Sequence, residues 1–411
     1  MAFPSTIIKL DIALIKVSTV EIVKAKPRII TIIEKNPYLC SESSFHNAGT
    51  LFFSRIKPVF SNVSVIKTII KQSKTLNISK LLSISKWGLC NTINNIFYDP
   101  NKYQFIRNNC KIEFDIKIAQ KKSMFFGLQK GIYMSFKSNK KLMSEIYQSN
   151  SYYEIKNKNN LYLPDDYSYN THTFSKKIET ELLKYNIEIL TNTKVEYMNI
   201  DNDGHIISVK TPDREIKADV FILCTNNNVF NVRNNNISKK IYLPLLKISG
   251  LSWTFNLNDN KNLNTLKETK ELYKILDNQK CNTYVDGDNN IFYTRYNNIL
   301  RVTYGYFIKP DLSYLINNYP KIIPEFPFLH DLCIKTKPTI CNRFVSPDGL
   351  PLIGKHDDFD NLYINTGHGF LGWTMSFYSA KYLKNIITIN NLSDKYIKLL
   401  SPHRFIFKNI T

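Results

Sequence analysis

Two neighbouring stretches near the C-terminus decide how the rest of the chain is read: Arg343-Phe344-Val345-Ser346-Pro347-Asp348-Gly349-Leu350-Pro351-Leu352-Ile353-Gly354 and Asn361-Leu362-Tyr363-Ile364-Asn365-Thr366-Gly367-His368-Gly369-Phe370-Leu371-Gly372-Trp373-Thr374. Pro347-Asp348-Gly349 is turn chemistry, since proline fixes φ and glycine allows φ > 0. Leu350 to Ile353 is a short apolar run stopped by Gly354, and Asn361 to Thr366 is an apolar strand running into Gly367-His368-Gly369. Beyond that cluster the spacing turns helical, with Leu371, Met375, Tyr378 and Tyr382 along one face. A strand, a glycine turn and a helix N-terminus make a place where backbone N–H groups can face an anionic edge. Only glycine lets the backbone come that close.

These stretches resemble the C-terminal signature of the FAD-dependent D-amino-acid dehydrogenases (small subunit), within the D-amino-acid oxidase group. In that family the pattern reads Arg-Pro-x-Thr-Pro-Asp-Gly-x-Pro-x-x-Gly and then, after a strand, Thr-Gly-His-Gly-x-x-Gly-Trp-Thr. The resemblance implies an α/β fold: a Rossmann-like FAD-binding domain with a second, substrate domain built on an antiparallel sheet. It implies a discontinuous FAD-binding domain over residues 1–60, 160–240 and 335–411, and a substrate domain over 61–159 and 241–334.

Composition agrees with a large folded protein. The 411 residues, 43% hydrophobic and 13% aromatic, suffice for a sizeable core in two domains. A net charge of +21 raises the question of nucleic acid or an anionic membrane surface. The lysines are scattered among asparagine and isoleucine, and no basic block alternates with aromatics, so no nucleic-acid partner is expected. The seven cysteines show no C-x-x-C spacing, which argues for a reducing compartment and against zinc or a disulfide framework. No metal site is expected. At the N-terminus Lys9 and Asp11 interrupt the apolar run, and no segment reaches the ~20 apolar residues of a membrane span.

Ile7 to Ile15 reads as a buried first strand. By the resemblance it enters the G-x-G-x-x-G turn that cradles the FAD diphosphate. The six positions matched to that turn are Lys16-Val17-Ser18-Thr19-Val20-Glu21, so the glycines are absent and Glu21 brings a negative charge. The next strand, Arg28 to Ile33, ends in Glu34, which matches the acidic residue that holds the ribose hydroxyls. The interval from Glu21 to Glu34 is short for a parallel crossover, which needs about a dozen connecting residues or more. Glu42 to Gly49 then matches the family's Thr-Ser-Phe-Ala-Asn-Ala-Gly segment under the flavin, carrying over Ser43, Ser44, Asn47 and Gly49 as cofactor-binding residues.

From Ile56 to Asn159 the apolar spacing is helical and no chemical motif stands out. Phe174 to Tyr185 is an amphipathic helix, Asn186 to Leu190 a strand, Val195 to Val209 a hairpin and Val220 to Cys224 a buried strand, closed by Asn226 where family members have glycine. Tyr242 to Phe255, Asn282 to Val285, Ile291 to Tyr296 and Ile299 to Phe307 read as strands of an antiparallel sheet.

The resemblance implies oxidative deamination of a D-amino acid to a 2-oxo acid and ammonia, by hydride transfer to flavin. It implies Arg343 as the cation for the substrate carboxylate, in a bidentate fork, and His368 beside it. Gly367, Gly369, Gly372 and Trp373 line the flavin's pyrimidine edge on this reading. A quinone or respiratory-chain acceptor is implied too, and with it a cytoplasmic protein lying peripherally at the inner face of the cell membrane. Two readings of present function stay open. The C-terminal signature favours a working flavoenzyme. The missing glycines, Glu21 and the short crossover favour a degenerate, non-catalytic homologue in which FAD binding is weak or lost.

Overall fold

The computed structural model describes residues 6–10, 29–56, 78–125, 127–137, 153–185, 187–225, 227–256, 282–308, 335–389 and 392–405, with Tyr273, Lys274, Asp277 and Cys333 as isolated positions. A six-stranded sheet runs in the order Leu352–Lys355, Leu362–Thr366, Val220–Leu223, Thr6–Leu10, Ile29–Ile33, Ile187–Leu190. From Leu362–Thr366 to the far edge every neighbour is parallel, while Leu352–Lys355 is antiparallel to its partner. The strands are rich in isoleucine, leucine and valine, as suits a sheet covered on both faces. Alternate side chains go to different layers. Ile32 and Ile222 pack with Met375 and Ala380 of the helix Gly372–Thr388. Ile33, Phe221 and Leu223 pack with Met198, Val209 and Phe230, which belong to a five-stranded sheet over residues 197–242.

The first strand is described over Thr6–Leu10 and its parallel partner over Ile29–Ile33. Residues 11–28, on which fall the expected continuation of the strand to Ile15, the six positions Lys16 to Glu21 and the short crossover, lie outside the described residues, as does Asn226.

A second, nine-stranded sheet follows the order Thr339–Val345, Leu246–Asn256, Ile299–Phe307, Ile291–Tyr296, Thr283–Asp286, Gln129–Ser135, Asn160–Ser168, Thr50–Leu51, with Glu154–Asn157 branching from Asn160–Ser168. All six strands of the first sheet come from the three pieces 1–60, 160–240 and 335–411, yet Thr50–Leu51, Asn160–Ser168 and Thr339–Val345, within the same pieces, pair in this large sheet. The run expected from Tyr242 to Phe255 divides. Ser238–Tyr242 closes the five-stranded sheet and Leu246–Asn256 enters the large one. Pro244 between them lacks the N–H that a continuous ladder needs.

The helix Gly372–Thr388 ties the layers together. Its first nine residues are nearly all buried, on every side rather than on one stripe. Phe377 packs on Phe114 of the helix Pro100–Gln120, and Trp373 meets Phe174 edge-on at 5.2 Å. The helix holding Phe174 starts at Thr171, capped by the Asn170 side chain, which accepts from the N–H groups of His172 and Thr173.

Candidate active site

The glycine loop stands at the carboxyl end of Leu362–Thr366, where open parallel sheets offer their ligand crevice. Gly367 and Gly369 have φ of +77° and +56°, which a side chain adopts only under strain. The Gly369 N–H donates to the Phe344 carbonyl at 3.0 Å, and His368 bridges to Val345, so the loop is bound to the strand that carries Arg343. Leu371 then caps a 17-residue helix without any side-chain hydrogen bond. Gly372 and Trp373, whose N–H groups belong to the helix's first turn and have no intrahelical partner, both line the cleft.

That cleft encloses about 740 Å³, its open mouth included, and is lined by Ser43, Ser44, Asn47, Arg343, His368 and Trp373 together with the three loop and helix glycines. Residues separated by more than 300 positions meet there because the loop Glu42–Gly49 is pinned from two sides. The Trp373 indole N–H donates to the Ser44 carbonyl at 3.3 Å, and the Ser43 hydroxyl donates to the Asn342 carbonyl. On the large sheet, Arg301 donates from one Nη to the carbonyls of Phe45 (3.0 Å) and Asn47 (2.9 Å).

Two cofactor-binding residues expected from the sequence stand away from this cleft. Glu34 is buried at the end of its strand, and its Oε1 accepts from the backbone and side-chain N–H groups of Asn36, both at 2.9 Å. Gly49 accepts no Cβ because the Tyr296 hydroxyl would sit 1.4 Å from it, and its N–H is held by the Asn47 side chain. Its contribution is to fold the loop. A second cavity lies at the carboxyl ends of the parallel strands, lined by Ile33, Lys35, Thr193, Lys194 and Leu223, and it shares Thr225 with the first.

His368 is fully buried. Its Nε2 lies 2.9 Å from the Ser379 hydroxyl, and its Nδ1 has no hydrogen-bond partner among the described residues. Burial without a countercharge pushes its pKa down to about 3. The ring is therefore neutral and cannot serve as a proton reservoir near neutral pH.

Arg343 stands on the wall between the glycine cleft and a third cavity, and Asn47 lines both as well. Its guanidinium lies over Gly250, where a Cβ would come within 2.7 Å of one Nη, and it reaches toward the Gly305 carbonyl at 3.4 Å. The strands Leu246–Asn256 and Ile299–Phe307 shift register between Ser249 and Leu251, with Gly305 at φ +92° on the bulged strand. A bulge of this kind re-aims the local chain, and the missing Cβ of Gly250 leaves the space the guanidinium occupies.

The third cavity carries residues that sequence reasoning missed: Arg55, Asn290, Thr303, Tyr304, Tyr306 and Phe370. Arg55 comes shortly after the recognisable Ser43 to Gly49 segment, and an arginine in the mostly apolar Leu51 to Ile56 run was the available signal. Arg301 carried no local signal, since its partners lie about 250 residues away.

The residues in place fit a flavin. Glycines with positive φ, an uncapped helix N-terminus and an orphaned Nδ1 supply hydrogen-bonding atoms on one wall for an electron-rich heterocycle. The cavity lined by Lys35 and Lys194 adjoins the cleft through Thr225, and its two lysines suit the charge of a dinucleotide's diphosphate. Comparison with known proteins agrees. A D-amino acid dehydrogenase of Vibrio atlanticus (strain LGP32) is 24% identical over 418 residues, covering 92% of this chain and 94% of that one. The D-amino acid dehydrogenase of Vibrio vulnificus (strain CMCP6) is 28% identical over 240 residues, 56% of this chain and 51% of the other. The L-proline dehydrogenase from P. horikoshii superposes with a TM-score of 0.60 at 14% identity, covering 98% of both chains, and so shares the fold. The family model described as FAD dependent oxidoreductase (DAO) matches residues 139–386. Since that match spans well over half of its length, the chain belongs to the FAD dependent oxidoreductase family.

Proposed function

We propose that the chain oxidises D-amino acids to 2-oxo acids and ammonia, with FAD as its cofactor. The observation that carries this reading is the meeting of the Gly367–Gly369 loop, the helix start at Gly372 and Arg343 around one cleft. FAD, when bound, supplies the acceptor for the two electrons and the Cα hydrogen. Gly367, Gly372 and Trp373 would hold its pyrimidine edge, where backbone donors stabilise negative charge, while Gly369, whose N–H is given to Phe344, would shape the loop around it. Ser43, Ser44 and Asn47 would hold the ring from the opposite loop.

Arg343 binds the substrate carboxylate in a two-armed hydrogen bond and so fixes the direction of the Cα–H bond. His368 stays neutral, keeps Ser379 in place and offers Nδ1 at the cleft wall; it moves no proton. Loss of the amine proton is left to solvent at the mouth. On this reading the pieces 1–60, 160–240 and 335–411 supply the cofactor half, and the large sheet walls the substrate. Among the described residues no helix is long and apolar enough to cross a membrane. We assign the electrons to a quinone or respiratory-chain acceptor met at the membrane surface.

The test is the visible spectrum of the purified chain, followed by anaerobic addition of D-alanine, D-methionine or D-glutamate. A flavin band bleached by a D-amino acid and untouched by its L-enantiomer is the expected result. A chain that binds no FAD on titration, or whose flavin no D-amino acid bleaches, would overturn the proposal.

A further inference from the structure

We infer that the substrate is a D-amino acid with an aromatic side chain, and that Phe292 is the residue that selects it. The inference rests on the oxidase reading just given and adds the side-chain class. The cavity beyond Arg343 encloses about 590 Å³, its mouth included, and is lined by thirteen residues. Five of these are aromatic (Phe52, Phe292, Tyr304, Tyr306 and Phe370), and none is aspartate or glutamate. Five in thirteen is well above the 13% aromatic share of the whole chain, so rings are concentrated at this wall.

The register of the large sheet builds the wall. Phe292 and Thr303 are direct partners on the neighbouring strands Ile291–Tyr296 and Ile299–Phe307, so their side chains leave the sheet on the same face. Thr294 and Arg301 are the next partners on that face, and both donate to the loop that lines the glycine cleft: Thr294 to the Ala48 carbonyl, Arg301 to those of Phe45 and Asn47. Phe292 thus stands beside that loop, where the buried Phe52 meets it edge-on at 5.8 Å. Phe52 is anchored in turn, since its N–H donates to the Thr374 hydroxyl at 2.9 Å in the first turn of the helix Gly372–Thr388. Tyr306 meets Phe370 of the glycine loop edge-on at 6.3 Å, and the Arg343 guanidinium lies 6.0 Å from the Tyr306 ring centre. Each aromatic pair therefore joins a ring of the large sheet to a ring held by the glycine loop or by the helix that follows it.

Arg343 and Asn47 line this cavity and the glycine cleft alike. A substrate with its carboxylate on Arg343 and its Cα–H turned to the cleft leaves its side chain to the cavity, among the rings. An aromatic side chain adds to them in the edge-on or offset geometry that rings prefer, with centroids about 4.5–7 Å apart, whereas a methyl group leaves them uncovered. Arg55 gives no second carboxylate anchor. Its guanidinium carbon lies 5.8 Å from the Phe52 ring centre, one Nη approaches the Met134 sulfur at 3.7 Å, and its charge acts on the buried Asp166 carboxylate. A cationic side chain meets two arginines and no acid on the wall. Burying a phenyl ring in place of the alanine methyl should favour D-phenylalanine by about ten- to a hundredfold.

The test compares kcat/KM of the FAD-loaded chain for D-phenylalanine, D-alanine, D-glutamate and D-lysine. Calorimetric titration with the same four amino acids measures binding whether or not turnover occurs. D-phenylalanine should lead D-alanine by about tenfold or more, with D-glutamate and D-lysine also below it. Phe292→Ala should lower the D-phenylalanine to D-alanine ratio about tenfold. Phe292→Leu keeps apolar bulk without the ring and should lower the ratio less. A melting curve confirms that each variant is folded, and Phe292→Leu decides should Phe292→Ala fail to fold. Preference for D-alanine, D-glutamate or D-lysine over D-phenylalanine, or an unchanged ratio in a folded variant, would overturn the inference while leaving D-amino-acid oxidation standing. Should no D-amino acid be oxidised, the oxidase reading falls, and the titration alone decides this one. Tighter D-phenylalanine than D-alanine binding that weakens in the Phe292 variants supports it, and equal or absent binding overturns it.

Discussion

Substituting Gly250 with alanine probes the Arg343 fork without touching Arg343. Gly250 sits in the ladder opposite Cys341 and has no positive φ, so alanine fits its backbone. The added Cβ would lie 2.7 to 2.9 Å from Nη2, Nη1 and Cζ of Arg343. Comfortable contact needs about 3.5–4.0 Å, so the guanidinium must retreat by about 1 Å. It is the free end of a flexible side chain, so the fold loses little, and the lower entropy of the unfolded alanine chain offsets about 0.4–1 kcal/mol of any strain. Positioning is another matter. A displacement of about 1 Å in a substrate-orienting group costs about a hundredfold in rate, and losing one charge-assisted hydrogen bond, about 1.5–3 kcal/mol, gives a similar figure.

Gly250→Ala should therefore lower kcat/KM for D-amino acids about a hundredfold, mostly through KM. Flavin content should stay normal and the melting temperature should stay within a few degrees. The assay is steady-state reduction of an artificial acceptor, with flavin absorbance and a melting curve on the same sample. The Arg343→Met background completes a double-mutant cycle: once the guanidinium is gone, Gly250→Ala should add almost nothing. Undiminished kcat/KM in a flavin-loaded Gly250→Ala chain would refute the assignment of the carboxylate to Arg343, and additive losses in the cycle would refute the mechanism of displacement.

Arg343→Lys keeps the charge without the fork, and should raise KM for D-amino acids more than it weakens FAD in a fluorescence titration. His368, held to about 3 from the usual 6.5 by burial, refuses a proton that the unfolded chain accepts, so stability falls as pH drops below about 6.5. Asp166, raised by burial to about 6, works in the opposite sense between about 4 and 6, so the comparison must be between chains. The expected outcome is that His368→Gln loses less melting temperature than wild type between pH 7.5 and 5, as read by calorimetry. For Asp348, burial alone would raise the carboxyl, but the Arg404 fork at 2.7 and 2.9 Å and Lys102 outweigh it and hold the pKa far below the carboxylate range. Arg404→Met should cost about 3–5 kcal/mol in urea unfolding at pH 7.

What the sequence reveals divides by the range of the forces involved. The C-terminal half of the site is local chemistry. Pro347-Asp348-Gly349 sets a turn, Leu362–Thr366 a strand and Gly367 to Gly372 a loop and helix start, each readable within a few residues of itself. The Glu42–Gly49 loop is legible only by likeness, because its shape is imposed by Arg301, Trp373 and Tyr296 from other parts of the chain.

Asp348 and Arg343 show why a shared motif does not mean a shared task. Both belong to the stretch that identifies the family, and both carry charge. Asp348 is buried under Arg404 and Lys102, with the Ser346 hydroxyl and the Leu350 N–H on the same carboxylate. It fastens the C-terminal segment to the turn and has no bond left for a ligand to use. Arg343, five residues earlier, makes a long contact to the Gly305 carbonyl, lies over the Tyr306 ring at 6.0 Å and in the space over Gly250, and lines two cavities. A carboxylate saturated by its own chain is structure, whereas a guanidinium given room by two glycines on facing strands is poised for a substrate. That difference lies in residues 250, 305 and 404, outside the motif, so spacing within the motif cannot reveal it.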